Sequence, residues 1–147
     1  MKANELMIGD FVRTAKDVCF YKGTIVQVRS IDGDNRFREK NLIGCATCLP
    51  IDDPDKMSGG VWVEYLEPIP LTPEILEKNF LKRHGAYVIL DDYFEVEICE
   101  YNDGLYRLLY NCTEMSLPRT QITEIGFVHQ LQHALQMVGV EQEIVLS

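Results

Sequence analysis

Short apolar stretches bounded by glycine, proline and aspartate set the strongest constraint on what this chain can fold into. Three of them, "IGDFVRT", "GTIVQVRSI" and "VWVEYLEPI", lie within the first 70 residues, and in each one apolar residues alternate with polar ones. That alternation is the two-residue period of a half-buried β-strand. Short strands joined by Gly-containing turns favour a small, strongly bent sheet. The sequence therefore predicts an SH3-like β-barrel over residues 1–70, with an exposed loop at "CLPIDDPDKMSGG".

The second half of the chain begins with a helix signature, "LTPEILEKNFLKRHG". Thr72 can cap the helix through its hydroxyl, and Pro73 fits the first helical position, where a missing N–H costs nothing. The basic run Lys82–His84 would form the last turn, next to the negative end of the dipole, and Gly85 would end the helix. The sequence thus predicts one helix from Pro73 to His84.

A β-hairpin is predicted next, at "YFEVEICEYNDGLYRLLY", with Asn-Asp-Gly as its turn. Phe94, Val96 and Ile98 would point to one face of the sheet, and Glu95 and Glu97 to the other. We expect the first face to pack on a core and the second to contact solvent.

These elements together predict an α+β protein. An N-terminal SH3-like barrel over residues 1–70 would be followed by an α+β subdomain over residues 71–147. That second part would contain a helix, a β-hairpin sheet and a C-terminal helix at roughly 126–138, packed on the barrel or continuous with it in a single domain. A chain of 147 residues suits either arrangement.

The sequence also predicts a cytoplasmic protein without membrane contact. No apolar run approaches the roughly 20 residues of a membrane span. The start "MKANEL" lacks the apolar segment of a signal peptide. Five cysteines are an odd number, and with no export signal they favour reduced thiols.

The net charge of −9 is unevenly distributed along the chain. Residues 1–40 hold 8 Lys and Arg against 6 Asp and Glu, whereas the remaining residues hold 6 against 17. Nucleic-acid binding requires a basic face, because phosphate contacts supply most of the affinity. The N-terminal third offers the one candidate, formed by Lys16, Lys22, Arg29, Arg36, Arg38 and Lys40. A solvated surface is the simpler interpretation of these charges.

Two motifs that resemble redox or metal sites are incomplete. Cys45 and Cys48 form a Cys-x-x-Cys, but Pro50 and Pro54 follow too closely for the helix that would lower a thiol pKa. The remaining cysteines are single and scattered: Cys19, Cys99 and Cys112. A zinc site would need a second pair of ligands. "DGDNR" opens like a calcium loop, but Ile43 stands where a bidentate Glu belongs. We therefore predict that Cys45 and Cys48 bind no metal and form no obligatory disulfide.

The segment "FVHQLQHALQMVG" places His129 and His133 four residues apart on the last predicted helix. A His-x-x-x-His pair can bind zinc, and a metalloprotease adds a Glu base beside the first His. Gln130 occupies that place, and an amide cannot act as a base. No further ligand is marked by the sequence, so we predict no metal and no cofactor here.

Residues 125–140 contain no Lys, Arg, Asp or Glu, although 25% of the chain is charged. Helical geometry places His129, Gln132, His133 and Gln136 opposite an apolar stripe. An uncharged polar face of this kind is typical of a partly covered surface. We therefore predict that these four residues bind a partner, either another protein or a second copy of the chain; chance remains the alternative explanation.

Three segments resemble one protein family. "MKANELMIGDFV" resembles the Met-Lys-x-x-Glu-Leu-x-Ile-Gly-Asn-x-Val start of short proteins from Bacteroidetes and their phages or mobile elements. "IPLTPEILEKNFLKR" resembles the family's "PLTEEWLLKFGF" helix, and "FVHQLQHALQMVGVEQEI" resembles its Val-His-Gln-Leu-Gln-Asn ending. Val128 to Gln132 match that ending residue by residue, whereas His133 stands where the family has Asn. The family carries no assigned activity, so the resemblance implies relatives and no catalytic residues.

The function predicted from the sequence is a non-enzymatic protein-interaction module, of phage or mobile-element origin as the resemblance implies. Two alternatives stay open. One is a metal-dependent hydrolase that uses His129 and His133. The other is a weak nucleic-acid binder that uses the basic N-terminal third.

Overall fold

The computed structural model describes residues 5–32, 44–53, 55, 57–113 and 119–146. The chain divides into two compact units, Met1–Ile69 and Pro70–Ser147. Each unit contains one five-stranded sheet in which all pairings are antiparallel, and the described helices longer than a single turn lie in the second unit. The predicted α+β class is thereby confirmed.

The described residues of the first unit form five short strands. They are β1 (Phe11–Thr14), β2 (Ile25–Asp32), β3 (Cys45–Pro50), β4 (Gly59–Trp62) and β5 (Leu66–Pro68). Their order in the sheet is β4-β3-β2-β1-β5, and a single 3-10 turn, Val63–Tyr65, joins β4 to β5. Among the described residues β4 and β5 do not pair with each other, so this sheet is not a closed barrel.

A turn stabilised by its own aspartate starts β1. The backbone N–H of Met7 donates to the Asp10 carboxylate at 2.7 Å, and Gly9 adopts a φ of +100° that a side chain would resist. Asp10 itself is only 2% exposed. The apolar core that follows is almost completely buried: Val12, Val26, Val28, Ala46, Val61 and Leu66. "IGDFV" therefore combines a turn with the beginning of a core strand, as the sequence predicts.

Two details of the first unit differ from the predicted strands. The predicted exposed loop "CLPIDDPDKMSGG" starts inside a strand, because Cys45–Pro50 alternates between half-buried and buried residues and pairs with both β2 and β4. Pro50 is tolerated because it is the last residue of the strand. "VWVEYLEPI" was expected to be one strand, but the 3-10 turn Val63–Tyr65 divides it. The turn brings both Val63 and Leu66 into the core, although strict alternation would place these two residues on opposite faces.

In the second unit, the residues that the structure describes form a meander of five strands flanked by two helices. Its elements are α1 (Pro73–Asn79), β6 (Leu81–Arg83), β7 (Ala86–Leu90), β8 (Phe94–Asn102), β9 (Leu105–Cys112), β10 (Thr120–Ile125) and α2 (Val128–Met137). The sheet order, β10-β9-β8-β7-β6, follows the chain without a crossover. The predicted hairpin corresponds to β8 and β9 and is confirmed, whereas β6, β7 and β10 were not predicted.

Helix α1 begins as predicted and ends earlier. The Thr72 hydroxyl accepts a hydrogen bond from the Ile75 N–H at 3.4 Å, which confirms the cap. The helix ends at Asn79, and the basic residues that follow lie in β6. His84 and Gly85 have φ of 51° and 84°, the two positive values of a type I′ turn, and this turn joins β6 to β7. The predicted continuation to His84 was wrong because "HG" forms a hairpin turn here.

The sheet of the second unit has one buried and one partly exposed face. Val96 and Ile98 are completely buried, and Leu108 beside them is buried as well. Glu95 and Glu97 alternate with these residues and point to the opposite face, where both are half-buried. The predicted division of the faces is therefore present, with the carboxylates less exposed than expected.

An amide side chain fixes the segment that follows α2. The Asn79 Nδ2 donates to the backbone oxygens of Ile75 and Val145, and its Oδ1 accepts from the Val145 N–H at 2.7 Å. The Gln142 side chain donates to the Asn79 carbonyl at 2.7 Å. Ile144, between these contacts, is buried. The last described residues are therefore held against the end of α1.

Candidate functional site

Gln130, which stands where a metalloprotease has its Glu, acts as a helix cap. Its Oε1 accepts a hydrogen bond from the Gly126 N–H at 2.9 Å. The N-cap residue, Phe127, has no side-chain acceptor for the first turn. The amide of Gln130 therefore satisfies a backbone donor just ahead of the helix. This contact gives a structural reason for glutamine at this position.

The two histidines of α2 pack against each other. Their ring centroids are 5.7 Å apart with planes at 80°, an edge-to-face contact, and the His129 ring also stacks on Phe127 at 5.9 Å. Within the part of the chain that the structure describes, no group of three or more His, Cys, Asp or Glu side chains is placed to hold a metal ion. The two imidazole rings therefore pack against each other within the first two turns of α2.

The four residues predicted to bind a partner differ in exposure. His129 is only 5% exposed and is therefore covered by its own chain. Gln132 and His133 are half-buried, and Gln136 is exposed. Met137, which was not among the predicted site residues, is 71% exposed beside Gln136. The surface accessible to a partner is thus the C-terminal half of α2, and we refer to Gln132, His133, Gln136 and Met137 as the α2 surface.

Cys45 and Cys48 cannot form a Cys-x-x-Cys pair in this fold. Both lie on β3, where successive side chains point to opposite faces, so residues three apart face opposite ways. Cys48 is completely buried in the core, while Cys45 is half-buried on the other face. The described cysteines are all free thiols. Strand geometry adds a stronger reason than the nearby prolines for the absence of a redox pair at this motif.

Cys19 was predicted to be a single, scattered cysteine, but the fold places its sulfur close to another thiol. A β-carbon added to Gly59 would stand 2.5 Å from the Cys19 Sγ, so this sulfur occupies the space of a residue-59 side chain. Gly59 pairs directly with Cys48 across β3 and β4. Cys19 belongs to the loop between β1 and β2, whose Phe20 is buried in the core of the first unit. The fold therefore brings Cys19 beside Cys48 from 29 positions away.

Burial makes two thiols of this chain, those of Cys48 and Cys99, poor nucleophiles. Desolvation, with smaller contributions from Cys19 and Cys45, raises the pKa of Cys48 to about 12. Desolvation and then the charge of Glu97 also raise the pKa of Cys99. Because the thiolate is the reactive form, neither group is prepared for nucleophilic catalysis near neutral pH.

The partly exposed face of the second sheet contains a concavity of about 360 Å³. Arg119 donates to the Glu97 carboxylate at 2.9 Å, and that carboxylate is only 13% exposed. Arg83 and His84 contribute from the β6–β7 turn, and Glu95 from β8. Basic and acidic groups are balanced, so the lining favours neither an anion nor a cation.

The basic N-terminal third is described only in part. Arg36, Arg38 and Lys40 lie outside the described residues. The Lys16 ammonium stands 3.1 Å from the centre of the Tyr65 ring, a cation–π contact. Arg13 is paired with Glu67 at 2.7 Å. Two of the described cations of this region are therefore engaged within their own unit.

Comparisons with known protein families, curated proteins and solved structures give no match for this chain. The resemblance to Bacteroidetes and phage proteins therefore stays a prediction. None of the helices in the described ranges is long and apolar enough to cross a membrane.

Proposed function

We propose that this protein is a non-enzymatic interaction module that self-associates through the α2 surface. The observation that carries the proposal is the exposed, uncharged end of α2, where Gln136 and Met137 face solvent in a stretch of sixteen residues without a charge. The occupant we infer for this surface is a second copy of the chain.

The distribution of charge favours association of two copies through the α2 surface. Each chain carries a net charge of −9, so two copies repel each other over most of their surfaces. A region without carboxylates is where two copies can approach at the smallest electrostatic cost. In a symmetric dimer the same patch serves both sides, so it has to be complementary to itself. Amide and imidazole groups meet that requirement because each can donate and accept hydrogen bonds.

Met137 supplies the apolar part of the proposed contact. A 71% exposed methionine next to polar amides provides flexible apolar surface that adapts to a partner. Gln132 and His133 are already half-buried, so their desolvation on association would be partial. A small contact of this kind supports a reversible dimer.

Sedimentation equilibrium over a range of protein concentrations tests the proposal. We expect the wild type to dimerise and Gln136→Glu to weaken dimerisation by about ten-fold or more, because the new charge appears twice in a symmetric contact. Met137→Asp should have a similar effect.

Gln121→Glu is the matched control. Gln121 is an exposed glutamine on β10, and the same substitution changes the net charge equally. If both variants weaken association to the same extent, net charge alone is the cause and the α2 surface is not the contact. A wild type that stays monomeric at the highest concentration overturns the proposal. Stoichiometric zinc lost on His129→Ala would support the hydrolase alternative instead.

Three further parts of the proposal concern class and origin. We propose an SH3-like description for the first unit, supported by β1 lying between β2 and β5 and by the 3-10 turn ahead of β5. A cytoplasmic location is supported by the free state of the described cysteines. The phage or mobile-element origin is supported by the three sequence segments quoted above.

A further inference from the structure

We propose that Cys19 and Cys48 form an oxidation site, at which a small disulfide such as oxidised glutathione converts the two thiols into an intramolecular disulfide. The site lies within the first unit and does not depend on the proposed self-association.

The contacts of Gly59 show that Cys19 and Cys48 lie close to each other. Gly59 and Cys48 are direct partners across β3 and β4, and directly opposed residues have β-carbons about 5 Å apart. The Cys19 Sγ occupies the place of the missing residue-59 side chain. The Cys19 sulfur and β-carbon lie 2.5 Å and 3.2 Å from that position, so both stand on the Cys48 side of the sheet. Because that position is about 5 Å from the Cys48 β-carbon, the β-carbons of the two cysteines are at most about 8 Å apart. A disulfide joins β-carbons about 4 Å apart, so a loop movement of at most about 4 Å closes the bond.

Cys45 is excluded as the alternative partner by the direction of its side chain. A β-carbon on Gly60 would meet the Cys45 Sγ at 3.4 Å, whereas one on Gly59 would meet Cys19. Neighbouring residues of β4 face opposite sides of the sheet. Cys19 and Cys45 are therefore on different faces, and Cys48 is the thiol that Cys19 can reach.

An oxidant can reach Cys19 directly. Cys19 is exposed and lines an open concavity of about 440 Å³ formed by Asp17–Tyr21. Cys48 is completely buried, so a small disulfide in solution cannot reach its sulfur first. The order of the reaction follows from this difference: Cys19 reacts with the oxidant, and Cys48 reacts with Cys19.

The chemistry is two successive thiol–disulfide exchanges. The Cys19 thiolate attacks one sulfur of oxidised glutathione, which forms a mixed disulfide and releases one glutathione thiol. The Cys48 thiolate then attacks the Cys19 Sγ, and the second glutathione leaves and takes up a proton. Two protein thiols lose two electrons, and one small disulfide is reduced to two thiols. Burial keeps Cys48 protonated at neutral pH, so the second step is the slow one.

The experiment treats the reduced, folded protein with excess oxidised glutathione and counts free thiols after denaturation. We expect five thiols to fall to three, with a mass loss of two hydrogen atoms and a Cys19–Cys48 cross-link in the peptide map. The closing step should accelerate by about ten-fold per pH unit between pH 7 and pH 9, because the thiolate fraction of Cys48 rises in that proportion. Dithiothreitol should restore all five thiols.

Three variants make the result decisive. Cys48→Ala should stop at the mixed disulfide, with the mass of one glutathione added at Cys19. Cys19→Ser, a change at an exposed position, should keep all its remaining thiols in the folded state. Cys112→Ser is the matched control and should still lose two thiols. A cross-link between any other pair, a wild type that stops at the mixed disulfide, or a Cys19 that does not react overturns the proposal.

Discussion

The two units contain sheets of the same size that are assembled differently. In the second unit every strand pairs with its neighbour along the chain, and two tight turns, His84-Gly85 and the one at Gly104, set the register. In the first unit β1 pairs with β5, so that Val12 meets Pro68 from more than fifty residues away. Local turn chemistry thus organises one sheet, and a shared apolar core organises the other.

Paired core truncations test this comparison with the largest expected effect. Leu66 in β5 and Leu108 in β9 are both almost completely buried. Leu66→Ala and Leu108→Ala should each cost about 2–5 kcal/mol of unfolding free energy, because each leaves a cavity. We expect hydrogen exchange to accelerate mainly in β1–β5 for the first variant and in β6–β10 for the second. Equal acceleration in both sheets for either variant would show that the units unfold together.

Two glycine variants, one in each unit, extend the comparison because the two positions require glycine for different physical reasons. Gly59→Ala should cost about 1–3 kcal/mol because the new β-carbon meets the Cys19 Sγ at 2.5 Å. Gly104 has open space around it but a φ of +70°, so Gly104→Ala should cost about 1–2 kcal/mol through backbone strain.

A second substitution should recover stability differently at the two glycine positions. Cys19→Ala should relieve part of the cost at Gly59 and none at Gly104, measured as the coupling in a double-mutant cycle. Gly104→Asn should be milder than Gly104→Ala because Asn tolerates positive φ. An additive double mutant at Cys19 and Gly59 would contradict the close approach of sulfur to glycine.

Alkaline pH should destabilise the protein through Cys48. Its pKa rises on folding from 9.0 to about 12, so the folded state favours the neutral thiol. The stabilising contribution is complete below pH 9 and is lost as the pH rises from 9 to 12, at about 1.4 kcal/mol per unit. Chemical denaturation of wild type and Cys48→Val at pH 8 and pH 10.5 measures the difference. A difference independent of pH would show that the thiol reaches solvent.

The smallest expected effect is at the cap of α1. Thr72→Ala should destabilise the protein by roughly 0.5–1 kcal/mol, the lower part of the range for such caps, because the hydrogen bond to Ile75 is long at 3.4 Å. Thr72→Ser keeps the hydroxyl and should preserve most of the stability. Thermal unfolding measures both, and equal losses would assign the effect to packing of the Thr72 methyl group.

The parts of the fold predicted from the sequence are those with local signals. Thr72 with Pro73 fixes the start of α1, and Asn-Asp-Gly fixes the β8–β9 hairpin. β6 was missed because "LKRHG" resembles a helix end, and its hairpin depends on the positive φ of His84, which is uncommon outside Gly. β3 was missed because its strand character comes from pairing with β2 and β4. Such pairing is a tertiary effect.

The candidate sites show the same limit. Helical periodicity predicted an apolar stripe on α2, formed by Phe127, Val128, Leu131, Ala134, Leu135 and Val138. Four of these residues are buried, whereas Phe127 and Val138, at the two ends, are half-buried. The burial of His129 was not predicted, because it depends on packing around the first turn. The approach of Cys19 to Cys48 has one signal in the sequence, the Gly-Gly at 59–60. Two glycines permit another residue to come close to the strand, but they do not indicate which residue does so.

The hydrogen bonds from the Asn79 side chain restrict which amino acids residue 145 can be. The amide exchanges two hydrogen bonds with the backbone of Val145, as one residue of a neighbouring strand would, so it recognises the main chain and ignores the side chain. Val145 is 51% exposed, so its side chain is only partly packed. The position should therefore tolerate many amino acids, polar or apolar, but not proline, which has no N–H to donate. Residue 145 can therefore be substituted while the segment after α2 stays bound to the end of α1, provided that Asn79 does not change.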